Sequence, residues 1–157
     1  MKSTNIKSPI EVFGVVAIIA SLLFLGYELK RANDIAEAEA TSSVYQEANN
    51  FLLAVIADQN IRQVLRKTFA DGSDSLTDDE QMLFSSMMTY IYNIHEVAWK
   101  YHQKGLMSDE DMAMQVAELC VWITENPAGA KDWARRRDIV LPGFYEDVNR
   151  DCEIANE

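Results

Sequence analysis

Both histidines of the chain, His95 and His102, lie seven residues apart on one helical stripe with Met88, Tyr92 and Trp99. Two imidazoles on one face invite a metal site. Ligands that close on one ion from a single helix sit at i and i+4, or as Glu-x-x-His pairs in di-iron bundles. Here Tyr92 and Trp99 stand three positions before the two histidines, so no metal ligand is assigned and no cofactor is expected. The stripe reads as packed aromatics with a hydrogen-bonded His95 inside. The candidate pocket of the chain is then an interhelical one lined by Tyr92, His95, Trp99, Tyr101, His102 and Trp122. Its acid/base pair would be His95-Glu96. Neighbours on a helix point about 100° apart, so the two cannot easily serve one substrate atom. The sequence also lacks a Gly-rich phosphate loop, a G-x-S-x-G elbow, a Cys-x-x-Cys pair and an H-E-x-x-H helix. No catalytic residue is assigned.

Two charged stretches offer further chemistry. The loop from Asp71 to Asp79, DGSDSLTDD, is rich in carboxylates. A calcium-binding EF-hand loop needs glycine at its sixth position and glutamate at its twelfth, whereas Gly72 is second and Glu80 tenth. A turn and a helix start account for the same residues, with Thr77 and Glu80 as a capping box and Asp78 and Asp79 at the positive end of the helix. Lys131, Arg135, Arg136 and Arg137 form the one basic run in an acidic head. They suit a helix C-terminus, and they are also the candidate lipid-facing cluster, each cation being worth about 1 kcal/mol beside anionic lipid.

The elements that position these residues are all helical, and no segment alternates with period two. The fold expected is all-α: a single N-terminal transmembrane helix continuing into a small soluble helical bundle. The organising stretch is Val12 to Tyr27, uncharged, within a 20-residue span at 10–29. At 1.5 Å per residue that is about 30 Å, one bilayer core. A cleaved signal peptide is the main competing reading. Against it, Lys30-Arg31 closes the run, and the first small-x-small site is Ala36-Glu37-Ala38. A buried core helix would show a polar face, and this one does not. Gly14 and Ser21 could form a helix-contact stripe. The organisation expected is a tail at 1–9, the span at 10–29, a helical connector at 30–44 and a helical domain at 45–157.

Within that domain a helix from Thr77 to Lys104 carries a seam of Phe84, Met87, Ile91, Ile94, Ala98 and Tyr101. Before it lies a short helix with Ile61, Val64, Leu65 and Phe69 on one face, between Asp58 and Asp71-Gly72. After it, Ser108 opens a helix with one stripe at Met112, Val116, Leu119 and Ile123 and another at Ala113, Ala117 and Cys120. Asn126-Pro127 starts a short helix running through Trp133 to Arg137. Leu141-Pro142-Gly143 is expected to be a tight linker, followed by an amphipathic turn or two at Phe144, Val148 and Cys152.

The net charge of −11 lies almost entirely outside the span and argues against nucleic acid as a partner, since phosphate binding needs a basic face. The expected partners are the membrane and either a second copy or a larger membrane complex. Cys120 and Cys152 are too few for a disulfide framework. A bridge between them stays open, with nothing in the sequence to select it. Lys2, Lys7 and the amino terminus face Lys30 and Arg31 across the span, close to a tie under the positive-inside rule.

The ordered landmarks Gly26-Tyr27-Glu28-Leu29-Lys30-Arg31, His95-Glu96, Tyr101-His102-Gln103-Lys104-Gly105-Leu106, Asn126-Pro127-Ala128-Gly129-Ala130-Lys131-Asp132-Trp133 and Pro142-Gly143-Phe144 resemble those of an uncharacterised bacterial family. Its members have one N-terminal transmembrane helix and a small all-helical domain. The resemblance implies a single-pass protein of the bacterial inner membrane with a cytoplasmic head. It brings no catalytic residue. The expected function is a membrane-anchored helical interaction domain or accessory subunit without catalytic activity, the alternative being an enzyme or ligand sensor using the aromatic and histidine-lined pocket.

Overall fold

A computed structural model describes residues 9–154 of the chain; the tail residues carrying Lys2 and Lys7 lie outside the described residues. The chain divides into two units, Met1–Ala36 and Glu37–Glu157. Helix α1 runs from Pro9 to Ala57. In the first unit every residue from Val12 to Tyr27 is exposed, the large apolar ones by 52–79%. The helix is long and apolar enough to cross a membrane, with a mean hydropathy of 2.2 in its most apolar window.

The second unit is a bundle of the last turns of α1 with α2 (Gln59–Asp71), α3 (Asp78–Gln103), α4 (Asp109–Cys120), α5 (Pro127–Ala134) and α6 (Pro142–Asp151). No strand occurs among the described residues. Each helix start follows from local chemistry. Asp58 accepts from the amides of Asn60 and Ile61, Thr77 and Glu80 form a reciprocal capping box, and Ser108 accepts from the Asp111 amide. Gly72 and Gly105, both at positive φ, follow the ends of α2 and α3, where only glycine turns left-handed at no steric cost.

Helix α3 organises the core because both of its stripes are covered. Phe84, Met88, Ile91 and Tyr92 join Leu119, Trp133, Phe144 and Val148 in the larger cluster. Ile94 and Ala98 join Val44, Met107 and Met112 in the smaller. Burial of each of the larger side chains contributes about 1.5–3 kcal/mol. The expected seam is buried as read except at Tyr101, which is half-exposed. Val44 belongs to this core, and Ala40 is buried as well. The head therefore takes in residues assigned from sequence to the connector, where alanines gave the apolar stripe too little contrast to be seen.

Other differences concern the second half of the chain. Pro142 and Gly143 are not a linker but the first residues of α6, since proline's fixed φ suits a first helical turn. A Cβ on Gly143 would lie 3.3 Å from the Trp99 ring, so its bare backbone lets the indole pack closely. On α4, Ala113 and Ala117 face solvent, and Gln115 takes the buried place between Met112 and Leu119. Beyond Cys120 the helix widens into a π turn, Val121–Glu125, before Asn126 caps α5. Cys120 and Cys152 are joined by a disulfide with Cα atoms 5.4 Å apart, which ties α4 to the end of α6 and closes the question the sequence left open.

Candidate functional sites

The six residues of the expected pocket do not line one cavity. Tyr92 is buried, its ring 5.1 Å from that of Trp133. Trp99 packs 6.2 Å from Phe144 and donates its indole N–H to Asp147 at 2.8 Å, holding α6 in place. Trp122 sits between Phe51 and Phe69, at 6.4 and 5.7 Å. Tyr101 packs against the smaller core cluster. His102 Nε2 lies 2.9 Å from Asp109 Oδ1, beside a shallow groove along α4. The space a stripe alone suggested is filled by Trp133, Phe144 and Val148, which come from elements remote in sequence.

His95 is buried on the inner face of α3. Its Nδ1 donates to the Ile91 carbonyl at 2.8 Å, so the neutral ring presents an acceptor lone pair at Nε2. That atom is buried without a partner, as is Gln115 Oε1 on α4. Burial holds the His95 pKa below the ordinary 6.5, against the opposing pull of the Ile91 hydrogen bond and the Glu118 charge. The folded chain thus binds this proton less readily than the unfolded chain does. Its contribution to stability is complete above pH 6.5 and is lost as pH falls from there toward the lower folded value. The full chain in mild detergent is therefore expected to melt at a lower temperature at pH 5.5 than at 7.5. His95→Gln should melt below the wild type at pH 7.5 and show a shallower dependence between the two. An unchanged slope in the variant would remove His95 as its source.

The basic run is split by its fold. Arg136 is directed inward, its side chain only 11% exposed, and this corrects its assignment to a lipid-facing cluster. Its guanidinium bonds Asp132 at 3.2 Å and Thr89 Oγ1 at 2.9 Å, and lies 5.4 Å from the centre of the Tyr92 ring. These partners supply both a counter-charge and an aromatic face, which together compensate a buried cation. Burial, with Asp132 nearby, pushes the Tyr92 phenol well above its usual range, Arg136 opposing. Lys131, which lines a cleft of about 450 Å³, pairs with Asp74 at 2.9 Å. Arg135 lines that cleft. Arg137 lies on the other side of the turn, near Asp138 and Glu146.

Asn126 carries structural chemistry that sequence reading saw only in part. Its side-chain oxygen accepts from the amides of Ala128 and Gly129, as an N-cap should, while its Nδ2 donates to Thr68 at 3.2 Å. The cap thereby pins α5 to α2, and neither partner is exposed. Among the described residues no three His, Cys, Asp or Glu side chains are placed to hold a metal ion. No family model, curated protein or solved structure matches the chain.

Proposed function

We propose that the chain is a membrane-anchored helical interaction domain or accessory subunit, held by the span at 10–29. The observation that carries this reading is the exposure of every residue from Val12 to Tyr27 in a protein whose other unit buries Phe84, Tyr92, Trp133 and Phe144 in its core. An uncharged apolar helix left uncovered needs hydrocarbon around it. The enzyme or sensor reading draws no support from the separate surroundings of Tyr92, His95, Trp99, Tyr101, His102 and Trp122. With the resemblance to the bacterial family, the membrane is the inner membrane.

The Cys120–Cys152 bond supports an oxidising compartment for the head. That departs from the cytoplasmic placement implied by Lys30-Arg31 and the resemblance. Lys2, Lys7 and the amino terminus then lie on the cytoplasmic side, which the positive-inside rule accommodates equally well. Washing membranes with alkaline carbonate and weighing the retained protein tests the anchor. The expected result is the intact chain of 17.8 kDa in the pellet. A mature species beginning between Gly26 and Ala40 would show cleavage and remove the anchor.

A further inference from the structure

Helices α3 and α4 form an antiparallel hairpin whose register is set beside its loop, where His102 Nε2 on α3 lies 2.9 Å from Asp109 Oδ1 on α4. Counting back along α3 and forward along α4, Ala98 and Met112 share the smaller core cluster, and Ile91 and Leu119 share the larger. Midway between those two apolar layers stand His95 on α3 and Gln115 on α4, 4% and 2% exposed. Both bring an acceptor. His95 donates through Nδ1 to the Ile91 carbonyl, which leaves its Nε2 with a lone pair only. The Gln115 amide acts as a donor on the Tyr45 hydroxyl, which in turn donates to Asp111 at 3.3 Å. The amide nitrogen is thereby committed to α1, and the oxygen is the atom left over. Neither His95 Nε2 nor Gln115 Oε1 has a partner among the side chains and backbone around it.

We infer that this layer is a hydration site, in which one water molecule is held between α3 and α4 and donates one hydrogen to His95 Nε2 and the other to Gln115 Oε1. Two acceptors that meet between apolar layers need two donated hydrogens, since a buried polar group left unpaired loses its hydration without return. A water supplies both from one small molecule, and buried waters characteristically serve such otherwise unsatisfied groups. The neighbouring side chains do not supply them. Asp111 and Glu118, the acidic groups of α4 that act on Tyr45 and His95, are acceptors themselves. Thr41 Oγ1, one turn before Tyr45 on α1, is also buried and unpartnered, but its hydroxyl bears a single hydrogen, too few for both. The bridge belongs to the head alone and does not depend on the anchor. It also favours one register of the hairpin, because sliding α4 by a turn would set Gln115 against Ala98 or Ile91.

Nuclear magnetic resonance of the full chain in mild detergent at pH 7.5, with isotope-labelled histidine, tests the site. The expected spectrum shows His95 as the Nδ1–H tautomer with Nε2 accepting a hydrogen bond. A nuclear Overhauser effect should connect water to the ring C–H groups beside Nε2, with the sign of a molecule that tumbles with the protein. This water contact should be lost in Gln115→Leu, while an unchanged His102 signal would show that α3 and α4 are still paired. The Nδ1–H tautomer without a water contact would mean a dry seam and overturn the site. A proton on Nε2 donated straight to Gln115 would overturn it as well. A water contact that survives Gln115→Leu would assign the water to His95 alone and overturn the bridge, and one that disappears in Thr41→Val would belong to the threonine hydroxyl, with the same result. Should the Gln115 variant not fold, the tautomer and the water contact of the wild-type chain decide by themselves.

Discussion

Gly129→Ala is expected to destabilise the head by about 2–3 kcal/mol, although alanine is the better helix former by about 1 kcal/mol. A Cβ at Gly129 would stand 2.0 Å from the Trp122 carbonyl oxygen, 3.1 Å from its carbon and 3.4 Å from Asn126 Cβ. None of these atoms is the free end of a flexible side chain. The Trp122 backbone belongs to the π turn, the Trp122 indole is packed between Phe51 and Phe69, and the next residue, Ile123, is buried. Moving α5 instead would pull the Gly129 amide from Asn126 Oδ1, 3.2 Å away, and strain the Asn126 bond to Thr68. Overpacking costs about 1–3 kcal/mol, here at the upper end because backbone must move. A weakened cap adds about 1 kcal/mol, and together they outweigh the propensity gain. Thermal unfolding of the full chain in mild detergent should show a midpoint lowered by about 10 °C. A midpoint equal to or above the wild type would mean that α5 and the π turn are not in contact as described.

That contact also marks where sequence reading ran out. The long stripes of α3 were legible because Phe84, Met87, Ile91, Ile94 and Ala98 repeat over many turns, and a covered helix needs only its own period to be recognised. The caps at Thr77, Ser108 and Asn126 were legible because their chemistry closes within three residues. The π turn has no comparable signature. Val121 to Glu125 reads as more of α4, and only the return of α5 across it gives the glycine of Asn126-Pro127-Ala128-Gly129 a purpose. The inward turn of Arg136 depends on Ser85 and Thr89, 51 and 47 residues away, while the neighbouring arginines stay outside. A run of three identical residues cannot disclose which one the fold will select. The candidate pocket failed for a related reason. A stripe of aromatics is readable from spacing, but whether space remains beside it depends on Trp133 and Phe144, whose approach is set by tertiary packing.

Replacing both Cys120 and Cys152 by serine should cost about 3–4 kcal/mol, the entropy regained by an unfolded chain freed from a loop of 32 residues. Helix α6 has other attachments: the Trp99 indole to Asp147, the Trp133 indole to Asn149, and the buried Phe144 and Val148. The reduced head is therefore expected to remain folded but to melt earlier, with the C-terminal end of α6 exchanging its amides first. The same bond reports the compartment. A head facing the cytoplasm would meet glutathione and carry two thiols, whereas one on the oxidising side keeps the bridge without further help. Fresh membranes quenched in acid and alkylated without reductant distinguish the two by intact mass. No added alkyl group before reduction and two after it are expected. Two added groups before reduction would return the head to the cytoplasm and leave the disulfide without a stabilising role in the cell, while the lowered melting temperature of the serine variant in oxidised, purified protein would still measure what the bond contributes.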